Sequence, residues 1–142
     1  MVAIKIGFVS RREEAPVQLA KRLIDEIESW NSGVQILVDE DLAQKIGKPP
    51  STVQEMERLK VDFIVSIGGD GTILRTIHKM ADPVPILGIN MGTLGFLVDV
   101  VPADAPETIK RLLSGFVVDE RSRLKLLING VCMPRATNEI AF

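Results

Sequence analysis

Val61-Asp62-Phe63-Ile64-Val65-Ser66-Ile67-Gly68-Gly69-Asp70-Gly71-Thr72-Ile73-Leu74-Arg75 changes its period in mid-course. Val61 to Ile67 is apolar on both faces apart from Asp62 and Ser66. That is the pattern of a central parallel strand covered on both sides. The glycine-rich turn then releases the chain into a helix, expected over Ile73 to Ala81. A strand, a tight turn and a helix make one βα unit, and such units in series build an open parallel sheet with right-handed crossovers.

The same alternation runs outward in both directions. Ala3 to Val9 reads as a strand ending near Ser10. Leu19, Leu23, Ile24 and Ile27 then recur at helical spacing, and Asn31-Ser32-Gly33 stops that helix. Val34 to Val38 is a second strand. Asp39 to Lys60 has no clear period, and Gly47-Lys48-Pro49-Pro50 breaks it. Ser51 and Thr52 each carry a capping-box partner three residues on, Gln54 and Glu55, so either can start a short helix reaching about Leu59. Val84 to Ile89 is a fourth strand, and a further helix is expected from about Ala105 to Leu113, stopped by Gly115. Beyond it, Phe116 to Glu120 and Leu124 to Ile128 read as strands. Asn129-Gly130 is a two-residue hairpin turn, with Val131 to Ala136 returning. Pro134 suits an edge. The expected fold class is a three-layer α/β domain with an open, mostly parallel, Rossmann-like sheet over residues 1–115. A β extension over 116–142 would open a second β domain of a larger parent protein, since an apolar run is cut at Phe142.

Composition narrows the function classes. A net charge of −2 with no like-charge run leaves no basic surface for nucleic acid. One cysteine and one histidine cannot build a His/Cys metal site or a disulfide framework. No charged leader precedes a long apolar segment, and the apolar runs fall short of a bilayer span. A soluble, cytoplasmic domain without membrane partners is expected.

The chemistry gathers at the glycine loops. Gly68-Gly69-Asp70-Gly71-Thr72 would lie at the carboxyl edge of the sheet, where open α/β folds bind ligands. Glycines permit positive φ and close approach of a ligand. The helix that follows presents free N–H groups suited to phosphate, and its dipole favours a negative charge at Asp70. Asp70 can then accept a hydrogen bond from a substrate hydroxyl and draw off its proton. The plainer alternative is that Asp70 caps the helix and the glycines make a turn. Gly92-Thr93-Leu94-Gly95-Phe96 is a second loop after a strand; Phe96 can stack on a base or fill core. Asn138-Glu139 can bracket ribose hydroxyls. Arg11 and Arg12, at the same sheet edge, can meet phosphate or point into solvent. His78, Trp30 and Cys132 read as structural residues, and Lys21, Arg22, Asp25 and Glu26 as a solvated helix face.

Three segments together resemble the NAD kinase family, with an archaeal flavour in the second: Ile67-Gly68-Gly69-Asp70-Gly71-Thr72-Ile73-Leu74-Arg75, Leu87-Gly88-Ile89-Asn90-Met91-Gly92-Thr93-Leu94-Gly95-Phe96-Leu97, and Asn138-Glu139. The resemblance implies phosphorylation of the adenosine ribose 2′-hydroxyl of NAD to give NADP. It implies ATP or inorganic polyphosphate as donor, Mg²⁺ or another divalent ion, and a homo-oligomeric parent. It makes Asp70 the proton acceptor. It places Gly69, Gly71, Leu74 and Arg75 at the nucleotide, Phe96 near the adenine, and Asn138 and Glu139 on the bound nucleotide. Lipid kinases of the diacylglycerol and sphingosine type share the first segment and are the rival enzyme; a non-catalytic nucleotide-binding domain is the rival without chemistry.

Overall fold

The structure is a computed structural model that describes residues 4–30, 33–92 and 100–114, together with the backbone of 127–128 and 131–132. Its strands are β1 (Lys5–Ser10), β2 (Gln35–Asp39), β3 (Pro50–Ser51), β4 (Phe63–Gly68) and β5 (Ile86–Asn90). The helices are α1 (Glu14–Ser29), α2 (Glu40–Ile46), α3 (Val53–Arg58), α4 (Asp70–His78) and α5 (Ala105–Leu112). The five strands form one sheet in the order β3-β2-β1-β4-β5, every pair parallel.

Side chains alternate across the strands and so build a core on each face of the sheet. Ile6, Phe8, Phe63, Val65, Ile67 and Ile89 meet the apolar stripes of α1, α2 and α5 on one face. Val9 and Ile64 meet Val53 and Met56 of α3, with Val61 and Met80, on the other. All six residues of β4 are buried, as a central strand requires. The solvated face expected on α1 is present, with Lys21, Arg22, Asp25 and Glu26 all exposed. Trp30 packs partly against the first core, with the Lys110 ammonium 5.5 Å from its ring centroid.

The unclear stretch after Asp39 contains two elements that the sequence reading did not separate. α2 is one short helix that buries Leu42 and Ala43 and ends at Gly47, whose φ of 71° closes it in the left-handed conformation. β3 is a two-residue edge strand that begins on Pro50, a place where a missing N–H does no harm. Of the two candidate caps for α3, Thr52 takes the position: its Oγ1 accepts the Glu55 N–H at 3.0 Å. Near the end, β6 (Leu127–Ile128) and β7 (Val131–Cys132) pair antiparallel, Ile128 opposite Val131. The expected hairpin is therefore present in register. Its turn residues, and the strand expected over Phe116 to Glu120, lie outside the described residues.

The chain steps outward from β1 to β2 and β3, then returns past β1 to β4 and β5. The order reverses between β1 and β4, so the loops leaving these two strands diverge and open a crevice at their carboxyl ends.

Candidate functional site at the carboxyl edge of the sheet

Two loops flank the crevice. After β1, Arg11 donates its backbone N–H to Ile67 O at 3.0 Å, which ties this loop to β4. After β4, Gly69 caps α4 and Asp70 is its first residue. Met91 N–H donates to Gly68 O at 2.8 Å, bringing in the end of β5. There the Asn90 Oδ1 accepts the Gly92 N–H at 2.9 Å.

The glycines of this turn act otherwise than expected. None of Gly68, Gly69 and Gly71 has positive φ; among the described glycines only Gly33 and Gly47 do. Gly69 is extended, at φ −137° and ψ −164°. Gly68 is needed for room. A Cβ there would fall on Thr72 Oγ1 and 2.7 Å from Arg11 Cγ, so the missing side chain is what lets the Arg11 stem lie across the strand end. Gly69 and Gly71 have open space where a Cβ would stand. They leave the backbone accessible to a ligand rather than bending it.

Asp70 is half-buried in the first turn of α4, one position inside the cap. The cap position itself belongs to Gly69, so Asp70 does not stand where a capping side chain usually does. Gly71 is exposed, Leu74 half-buried and Arg75 exposed. The Arg75 Nη2 lies 3.5 Å from Thr72 Oγ1, a long contact that leaves the guanidinium available. Phe96, Asn138 and Glu139 lie outside the described residues, as does Cys132's side chain. His78 is exposed at the last position of α4 and does not line the crevice.

A cleft of about 370 Å³ opens between the β1 loop, the end of β2 and the outer side of α4. Arg11, Arg12 and Glu13 form one wall, Thr72, Arg75, Thr76 and Lys79 another, and Asp39 with Asp41 closes the third. Asp70 stands just outside it, before Thr72 on the same helix. Both arginines that the sequence left between phosphate and solvent thus face this cleft. Arg12 is exposed and pairs with Asp41 at 3.0 Å. Arg11 is half-buried; its Nε lies 3.5 Å from a Glu13 carboxylate oxygen, yet that geometry makes no hydrogen bond and leaves the buried nitrogen unsatisfied.

Asp39, Thr76 and Lys79 were not singled out in the sequence. Burial pushes the Asp39 carboxyl above the usual carboxylate range; the Lys79 ammonium and the Asp41 N–H pull it back, and the Asp41 and Glu40 carboxylates push it up again. It stands at the N-cap of α2, near the Asp41 N–H but without the geometry of a capping hydrogen bond. The only hint in sequence was an acid closing an apolar strand. Among the described residues no three His, Cys, Asp or Glu side chains gather as metal ligands, and no helix is long and apolar enough to cross a membrane.

Comparison with known proteins agrees with the fold. Residues 6–117 match the model of the ATP-NAD kinase N-terminal domain. An NAD kinase of Methanosarcina barkeri is 47% identical over 140 residues, covering 99% of this chain and 50% of that protein. The chain spans about half the length of the curated relatives it matches. Among solved structures, an NAD kinase from Archaeoglobus fulgidus in complex with ATP superposes with a TM-score of 0.56 at 27% identity, covering 86% of this chain and 41% of that one. Yeast NADH kinase complexed with NADH shares the fold, with a TM-score of 0.73 at 22% identity over 87% of this chain and 42% of that one.

Proposed function

This chain belongs to the ATP-NAD kinase family, and from that premise we propose that the protein containing it phosphorylates the 2′-hydroxyl of the NAD adenosine ribose to give NADP. The observation that carries the reading is the placement of Asp70. It sits on rigid elements at the crevice where the strand order reverses, between two glycines whose outer faces are open.

The chemistry asks little of the protein beyond position and charge. The ribose O2′ attacks the terminal phosphorus of the donor. Its proton passes to the Asp70 carboxylate, and the bond to the bridging oxygen breaks so that ADP, or a polyphosphate shorter by one unit, leaves with the electron pair. Charge on the transferred group is met by N–H groups at the α4 start and by Arg75. Gly69, Gly71 and Leu74 would shape the contact with NAD. Phe96, Asn138 and Glu139 complete the nucleotide site in this reading. The likeness to an NAD kinase solved with ATP supports ATP as donor. A divalent ion would arrive on the donor's phosphates. In the same reading residues 1–115 are the nucleotide-binding domain and 116–142 lead into a second β domain. The parent protein works in the cytoplasm as a homo-oligomer.

The test is direct. The full-length protein, given NAD and ATP or polyphosphate with Mg²⁺, should yield NADP detectable by an NADP-specific dehydrogenase. Absence of NADP with every donor would refute the proposal.

A further inference from the structure

We propose that α4 is a lever and Ser66 a positioning residue for Asp70: the helix tilts about its far end when substrate binds, and the Ser66 hydroxyl, unpartnered in the position observed, bonds Thr76 in the tilted one. The inference rests on the kinase reading and adds to it a moving part beneath Asp70.

The two ends of α4 are held differently. Just past its last turn, Met80 is buried in the second core with Val53, Met56, Val61 and Ile64. The Glu57 carboxylate of α3 accepts the Ala81 N–H at 2.9 Å and the Asp82 N–H at 3.4 Å. Packing and two hydrogen bonds thus fix the far end. Toward the crevice the helix buries Thr72, Ile73 and Thr76, and the strand below offers Gly68 and Ser66. A Cβ on Gly68 would collide with Thr72, so Thr72 lies over Gly68. Because β4 and β5 are parallel, α4 runs back along β4 between them. Four residues of helix cover about 6 Å and two of strand about 6.6 Å. That match puts Thr76 over Ser66 and Met80 over Ile64, and the last two do share a core. Apolar side chains interlock at the far end. At the near end a hydroxyl and a bare backbone meet two threonines, and shifts of about 1–2 Å are the usual scale of motion between packed elements.

Ser66 is where this seat is unfinished. It is 1% exposed, and its Oγ has no hydrogen-bond partner among the described residues. Its neighbours across the sheet, Val9 and Gly88, bring no polar side chain. A buried hydroxyl left so is costly. Thr76 Oγ1 gives its hydrogen to Thr72 O at 2.8 Å and keeps its lone pairs free to accept. A tilt that lowers α4 onto the strand lets the Ser66 O–H donate to Thr76 Oγ1. Thr76 lies four residues from Met80 and Asp70 ten, so the tilt carries Asp70 about two and a half times as far as Thr76. The bond exists only in the tilted position and favours it; substrate that meets the α4 start better there supplies the rest.

The test uses the full-length protein with Ser66→Ala, Thr76→Val and the two combined. Ser66→Ala removes an unbonded hydroxyl from the observed position, so its urea midpoint should rise. Its kcat/KM for NAD should nevertheless fall about three- to tenfold, the worth of one hydrogen bond. A hydroxyl with a merely structural role would leave kcat/KM unchanged, and that result overturns the proposal, as does a lower midpoint. The double variant should be no slower than the slower single one, because both remove the same bond. Losses that multiply would mean that Ser66 and Thr76 never meet. If the wild-type protein makes no NADP, the kinase reading falls, and the same cycle is read from calorimetric affinities for NAD and ATP: additive effects, or no binding of either nucleotide, sink the lever.

Discussion

Gly68 and Gly71 belong to one turn and answer to different demands. A methyl at Gly68 would press on Thr72, which is buried, and on the Arg11 stem. Gly68→Ala should therefore cost about 1–3 kcal/mol, the usual range for overpacking. Gly71 is exposed within α4 with nothing near its outer face. Gly71→Ala should gain about 0.5–1 kcal/mol from helix propensity while lowering kcat/KM, because the added methyl stands where substrate approaches. Urea unfolding beside kinetics separates the two; a destabilised Gly71→Ala with full activity would reverse the assignment. Asp70 is tested by loss of charge at constant shape. Asp70→Asn should lower kcat in the full-length protein by about 10²- to 10⁴-fold, the typical worth of a general base, with calorimetric NAD affinity nearly unchanged. Near-normal kcat would mean that Asp70 only shapes the turn. Asp39 gives a pH signature. Burial raises its carboxyl, so the folded chain holds that proton more tightly than the unfolded chain does. Its contribution to stability is complete below the ordinary range near pH 4 and is lost as pH rises through the raised value. Asp39→Asn should thus gain on the wild type in urea melts from about pH 4 to pH 7; a constant gap would contradict the burial.

At the scale of elements, what the sequence revealed followed length and period. β4 and α1 were legible because each keeps one pattern for many residues, buried throughout in one case and striped in the other. α2 was hidden because it is short and buries only Leu42 and Ala43, too few positions to establish a period. Cap chemistry could be narrowed to Ser51 or Thr52 and no further, since both have suitable partners; the backbone settled it in favour of Thr52. Removing that cap with Thr52→Ala should cost about 1 kcal/mol, read as a shift in urea midpoint at constant slope. No shift would mean that α3 is held by Val53 and Met56 alone. The same limit explains the site. Asp70 was legible because its neighbours in sequence make its environment. Asp39 and Lys79 were not, because only the parallel sheet brings the end of β2 beside the far end of α4.

At the scale of the molecule, the chain matches about half of its relatives' length. In the two-domain reading proposed above, residues 1–142 alone should show little or no NAD phosphorylation, while the full-length protein turns over. Coupled NADP detection on both decides it, and robust turnover by these residues alone would defeat the two-domain reading.

The sheet order has a consequence in time. β1 lies at the middle of the sheet but is made first, and its inner neighbour β4 follows roughly sixty residues later. Ribosomes add about 5–20 residues per second, so Ile6 and Phe8 wait several seconds for Phe63 and Val65. During that interval β2 alone is available to pair with them. The strand at the heart of the domain is the one longest open to a chaperone at the exit tunnel, and the speed at which codons 11–62 are read sets how long.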